Sequence, residues 1–70
     1  NYSIYELKVP KEWFGKSLSQ IDIRKKFKIN ILTIKRGEEV FIPSPDTVIE
    51  TDDIAFVIGE VRDIQKCFRI

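Results

Sequence analysis

Residues 21–36 read I-D-I-R-K-K-F-K-I-N-I-L-T-I-K-R. A short basic segment runs directly into a β-branched, apolar run interrupted by one amide, Asn30. The first half continues a helix that starts earlier. Ser17-Leu18-Ser19-Gln20 has the spacing of a capping box, with serine at the N-cap and glutamine three residues on. This predicts a helix over Leu18–Phe27 that buries Leu18, Ile21 and Phe27 and leaves Asp22, Lys25 and Lys26 outside. The second half, Ile29–Lys35, is short, β-branched and apolar on both faces, as a central strand should be. A helix feeding that strand would bring Arg24 and Asn30 together beside Ile23, Phe27, Ile31 and Leu32. A core needs those apolar residues but has no use for the cation or the amide. Together they suit a ligand with charged phosphates and flat bases.

On the N-terminal side, Ser3–Val9 alternates, with Tyr5, Leu7 and Val9 on one face and Glu6 and Lys8 on the other. That is a strand with one wet face. Pro10 ends it, and Lys11–Lys16 reads as a loop carrying Trp13 and Phe14, with Gly15 allowing a tight bend. On the C-terminal side, Arg36-Gly37-Glu38-Glu39 is a turn into Val40–Ile42, giving a hairpin. Pro43-Ser44-Pro45-Asp46 cannot continue a sheet interior, and Thr47–Glu50 adds a brief extended piece. Thr51-Asp52-Asp53 is turn chemistry. Ile54–Ile58 is a second buried strand stopped by Gly59, and Val61–Phe68 is a closing helix with Val61, Ile64 and Phe68 on one face. The order β-α-β-β-β-α predicts one α+β domain over residues 1–70, with two helices on a small, mostly antiparallel sheet.

Composition narrows the function. The chain is 43% apolar and 33% charged, with no apolar run near the ~20 residues a membrane span needs. A net charge of +1 argues against a nucleic-acid binder. Cys67 has no partner for an internal disulfide, so a reducing, cytoplasmic setting is expected. Without histidine, and with one cysteine, no metal set and no catalytic constellation can be drawn, so the expectation is a non-enzyme without a cofactor. The chain starts at Asn1 and has no methionine, which suggests an accessory module cut from a longer protein. A core of ~70 residues rarely supplies more than ~3–5 kcal/mol unaided, and pairing of two copies is one common supplement.

Several segments, taken in order, resemble a known family. These are the apolar-Lys-Val-Pro of the first strand, Gly15-Lys16-Ser17-Leu18, Ile23-Arg24-Lys25-Lys26-Phe27, Ile34-Lys35-Arg36-Gly37, Ile42-Pro43-Ser44-Pro45 and Asp53-Ile54-Ala55-Phe56-Val57-Ile58-Gly59. They look like the C-terminal domain of regulator-of-potassium-conductance proteins, the TrkA-C type, over roughly Ile4 to Phe68. The resemblance implies a two-fold dimeric ligand sensor attached to a potassium channel or transporter subunit, without membrane insertion of its own. One subset of the family binds cyclic di-AMP across the dimer interface and resembles Ile-Arg-x-x-Phe/Tyr-x-Ile-Asn-Ile. Ile23, Arg24, Phe27, Ile29, Asn30 and Ile31 match it here. Carried over by position, Arg24 would contact phosphate and Asn30 the phosphate or adjoining base. Leu18, Ile23, Phe27, Leu32 and Pro45 would line the pocket. The sequence departs from the subset at Lys28, where glycine is frequent, and in having no histidine.

The chemistry agrees with that carry-over. Arginine offers a planar fork for two phosphate oxygens, asparagine both donates and accepts, and a two-fold ligand fits a two-fold interface. Plainer readings stand beside it. Arg24 also reads as a solvated helix-face cation, and Asn30 as a residue satisfying turn backbone. Ile23, Phe27, Ile31 and Leu32 suit a core as well as a pocket. Trp13 and Phe14 read as a loop packed over the sheet edge, and Lys25-Lys26-Lys28 as a solvated face. Two other functions remain open. One is a dimerisation module on a transporter or transcription regulator; the other is a sensor of a different small anion or of a cation held by Asp22, Asp46 or Asp52.

Overall fold

The computed structural model describes residues 1–70. Strand β1 (Tyr2–Lys8) is followed by a 3₁₀ turn at Lys11–Trp13, then helices α1 (Leu18–Ile21) and α2 (Ile23–Phe27). Strands β2 (Asn30–Arg36), β3 (Glu39–Phe41) and β4 (Ile54–Glu60) and helix α3 (Val61–Phe68) complete the chain. The four strands form one sheet in the order β1-β4-β2-β3, and every pairing is antiparallel. This is the expected α+β architecture, with β2 and β4 at the centre of the sheet.

The helix expected over Leu18–Phe27 is broken. Asp22 sits in the left-handed region, at φ 57°, and divides it into α1 and α2. The cause lies in the side chains around it. Ile21 and Ile23 are both buried, yet residues two apart in a regular helix lie on nearly opposite faces. Reversing the chain at Asp22 brings Ile23 back to the core. Aspartate is among the few residues that adopt this conformation readily. The capping box forms: Ser17 Oγ accepts from the Gln20 N–H at 3.2 Å, and Gln20 Oε1 accepts from the Ser17 N–H at 2.8 Å.

Gly59 does not stop the last strand, which continues to Glu60. The reason for glycine is a neighbour. A β-carbon at Gly59 would lie 2.6 Å from Cγ2 of Ile29 and 3.2 Å from its Cβ. Ile29 is wholly buried, and its Cα also lies 3.4 Å from that position, so a side-chain rotation alone does not clear the contact. Gly59→Ala is therefore expected to destabilise the domain by about 1–3 kcal/mol through overpacking. Urea denaturation checks this, and an unchanged midpoint would contradict the contact.

The core comprises Val9, Trp13, Ile21, Ile23, Ile29, Ile34, Ile49, Ala55, Val57, Ile64 and Cys67. Trp13 is buried against Phe68, with ring centroids 5.4 Å apart and planes at 59°, so the loop does pack inward. Burial pushes the Cys67 thiol up to about 11, which leaves it protonated and unreactive at neutral pH. Ile54, Phe56 and Ile58 alternate onto the other face of the sheet and stay half-buried. No helix is long and apolar enough to cross a membrane.

The segment between β3 and β4 has little regular structure, but it is firmly tied. The extended piece expected at Thr47–Glu50 is reduced to a single antiparallel bridge, Val48 to Ser17. Gly15 N–H donates to Ile49 O and Ile49 N–H to Lys16 O. The end of the segment is held by Arg36, through a network the sequence did not disclose. Its Nε and Nη2 donate to the two carboxylate oxygens of Asp53 at 2.9 and 2.8 Å. Nη2 also reaches Val48 O at 3.0 Å, and Nη1 lies 3.0 Å from Glu50. The guanidinium sits over the Phe41 ring, 5.1 Å from its centroid.

Candidate functional site

Three features of the chain meet at one hollow. Helix α2 is capped at its C-terminus by Lys28, which adopts φ 59° and donates its N–H to Arg24 O at 3.1 Å. That left-handed residue turns the chain directly from α2 into β2. Arg24 on α2 and Asn30 at the first position of β2 thereby face the same space. The third wall, Pro43–Pro45, comes from the β3–β4 segment. The hollow has a volume of about 210 Å³ and is lined by Leu18, Ser19, Arg24, Asn30, Ile31, Pro43, Ser44 and Pro45.

Of the residues singled out in the sequence, Leu18, Arg24, Asn30, Ile31 and Pro45 are gathered here. Ile23 is not; it is buried in the core at 5% exposure, consistent with its role in the α1–α2 break. Phe27 turns to a separate hollow of about 180 Å³ beside Trp13, Ile21 and Lys26. Leu32 is exposed and lies at a β-bulge, where the β2–β4 register shifts between Ile31 and Thr33. A bulge re-aims the side chain it carries, and Leu32 is not among the residues lining the hollow. Ser19, Pro43 and Ser44 line it without having been named as contacts. The signal for Pro43 and Ser44 is only the Pro-Ser-Pro bend, and Ser19 belongs to the capping-box stretch Ser17–Gln20.

The electrostatics of the hollow are simple. Arg24 is exposed and belongs to none of the chain's four ion pairs. No carboxylate is among the lining residues. The N–H groups at the start of α1 are already engaged, Leu18 with Thr47 O at 3.0 Å and Ser19 with Pro45 O at 2.9 Å. An anion entering the hollow therefore finds one cation, Arg24, and not a helix terminus. A larger hollow of about 380 Å³ lies between Tyr2, Lys28, Glu60, Arg62, Asp63 and Lys66. There the cations face acids and the wall is almost wholly polar, so it suits flat apolar groups poorly. No group of three or more metal-ligating side chains is assembled anywhere in the chain.

Comparison with known proteins places the chain in a family. Residues 3–70 match the family model of the TrkA-C domain. The chain is 42% identical over 66 residues to Ktr system potassium uptake protein C of Bacillus subtilis (strain 168), covering 93% of this chain. It is 32% identical over 66 residues to Ktr system potassium uptake protein A of the same organism. The chain spans 30% of the length of each of these two proteins. Among solved structures, it superposes on the regulator of conductance of K+ C domain of the potassium transport protein KtrA in complex with cyclic di-AMP. The TM-score is 0.92 at 38% identity, over 99% of this chain and 82% of that one. The corresponding domain dimer of S. agalactiae BusR, also in complex with cyclic di-AMP, gives 0.80 at 25% identity, over 96% and 90%. The chain belongs to the TrkA-C domain family.

Proposed function

We propose that this domain binds cyclic di-AMP between two copies of itself and thereby regulates an attached or associated potassium transport system in the cytoplasm. The observation that carries the reading is the hollow: an unpaired arginine and an amide set among Leu18, Ile31, Pro43 and Pro45, with no carboxylate among the lining residues. The fork of Arg24 suits a phosphodiester. Asn30 can serve as donor and acceptor to a phosphate or a base edge, and the apolar wall suits the purine faces. The KtrA and BusR structures with bound cyclic di-AMP support the choice of ligand, and the Ktr proteins support the choice of transport system.

Size supports a shared site. At about 210 Å³, the hollow falls below the roughly 300–1,000 Å³ typical of pockets for drug-sized ligands. Half of a two-fold dinucleotide matches one hollow, and a second copy supplies the rest. The chain also has apolar surface for a partner copy to cover: Ile4, Leu32, Val40, Ile42 and Val48 are exposed by 40–82%. Regulation then follows from differential binding. A ligand that touches both copies favours the dimer arrangement in which both hollows face it. On this reading the domain is a sensor and not an enzyme.

Calorimetric titration of the 70-residue chain with cyclic di-AMP is expected to give one ligand per two chains with a micromolar or tighter Kd. Sedimentation is expected to show a dimer at tens of micromolar. Absence of both heat and thermal shift would overturn the ligand. Binding of one ligand per chain by a persistent monomer would overturn the shared site.

A further inference from the structure

We infer that Thr47, which does not itself line the hollow, is a positioning residue that fixes the Pro43–Pro45 wall against which the ligand rests. The inference deepens the cyclic di-AMP reading and rests on it. In the segment Pro43-Ser44-Pro45, both prolines lack an N–H, so Ser44 carries the only amide donor. That amide donates to Thr47 Oγ1 at 2.9 Å, and the Thr47 N–H returns a bond to Ser44 O at 3.0 Å. The two residues thus close a reciprocal ring around the bend.

Thr47 and Pro45 also tie the bend to α1. Leu18 N–H donates to Thr47 O and Ser19 N–H to Pro45 O, and Leu18 and Ser19 themselves line the hollow. Proline supplies fixed φ, but the relation of Pro43 to Pro45 also depends on ψ at Pro43 and on both dihedrals of Ser44. The Thr47 hydroxyl is the one side chain that restrains Ser44. Without it, the amide turns to water at little cost to the fold, because Ser44 is exposed. The wall would then sample several positions, and the ligand would have to order it on binding.

Two variants in the 70-residue chain separate positioning from bulk. Thr47→Val keeps the β-branched shape and removes the acceptor; Thr47→Ser keeps the acceptor and removes a methyl. Thr47→Val is expected to weaken cyclic di-AMP binding about tenfold, with the ligand-free thermal midpoint within a few degrees of the unsubstituted chain. Thr47→Ser is expected to bind within about twofold of the unsubstituted chain. Hydrogen exchange at the Ser44 amide, followed by NMR without ligand, is expected to accelerate in Thr47→Val and stay slow in Thr47→Ser.

Unchanged affinity in Thr47→Val, or equal losses in both variants, would overturn the assignment. So would a large fall in the midpoint of Thr47→Val, which would make the hydroxyl a prop of the whole fold. Failure of the unsubstituted chain to bind removes the underlying ligand reading as well, whatever the amide exchange shows. Binding by the unsubstituted chain with no effect in Thr47→Val removes this inference alone.

Discussion

Arg36→Ala is expected to destabilise the domain by about 3–5 kcal/mol, the cost of removing one partner from a buried ion pair. The charge left behind sets the magnitude. Asp53 is wholly buried, while the Arg36 side chain is 29% exposed. Removing the arginine strands a carboxylate in the interior with only the Glu50 N–H still donating to it, at 2.9 Å. Val48 O loses its donor, and Phe41 loses the cation above its ring. Asp53→Asn is expected to cost less, about 1–3 kcal/mol. The cation it releases remains partly solvated beside Glu50, and the asparagine oxygen can still accept from the Glu50 amide. For a domain of this size, the Arg36→Ala cost is comparable with the whole stability.

The sign of the pH dependence follows from Asp53. Burial alone would raise its carboxyl, but hydrogen bonds from Arg36 and the Glu50 N–H, with the guanidinium charge, hold it below the ordinary aspartate range. A lowered folded-state value means the stabilisation is complete above the unfolded value, about 3.9. It is lost as pH falls through the lower folded value. In Arg36→Ala, burial acts on Asp53 without the guanidinium to offset it, so the carboxylate gains from protonation. The difference in urea midpoint between the two proteins should be widest near neutral pH and narrow below about pH 4. A cost under 1 kcal/mol, or a difference independent of pH, would contradict the assigned network.

The legible parts of this fold were those specified locally. The capping box at Ser17–Gln20, the β-branched run of β2 and the face of α3 all follow from neighbours in sequence, and all formed. The break at Asp22 also has a signal, because Ile21 and Ile23 cannot share one helical face; the capping box before it and the basic run Arg24–Lys26 after it are equally compatible with a single helix. Arg36 and Asp53 are separated by 17 positions, and no local pattern pairs a turn arginine with a turn aspartate. Gly59 reads as a stop until Ile29 is known to cross it. At the hollow, Arg24 and Asn30 were readable because the α2–β2 turn is short. Pro45 came only by resemblance, and its neighbours Pro43 and Ser44 arrive by tertiary folding of a segment with little regular structure. Ile23 shows the limit of positional transfer, since a matched motif residue here serves the core.

Arg24→Ala is expected to weaken ligand binding at least a hundredfold while leaving the fold untouched, and that pairing of outcomes gives the experiment its force. Hydrogen bonds to a charged group contribute about 1.5–3 kcal/mol each. A ligand bridging two copies loses two such arginines at once, so the expected loss is about 3–6 kcal/mol, or roughly 10²–10⁴ in Kd at about 1.4 kcal/mol per tenfold. Arg24→Lys keeps the charge but not the two-pronged geometry and should fall between the extremes. Asn30→Ala, with one neutral contact per copy at about 0.5–1.5 kcal/mol, should lose about 1–3 kcal/mol in total. Stability is the internal control. Arg24 is exposed and makes no ion pair, so its removal should leave the ligand-free thermal midpoint unchanged, in contrast with Arg36. A variant that binds cyclic di-AMP within threefold of the unsubstituted chain would return Arg24 to a solvated cation on a helix face. A variant that loses binding only because it unfolds would move the residue from the site to the scaffold.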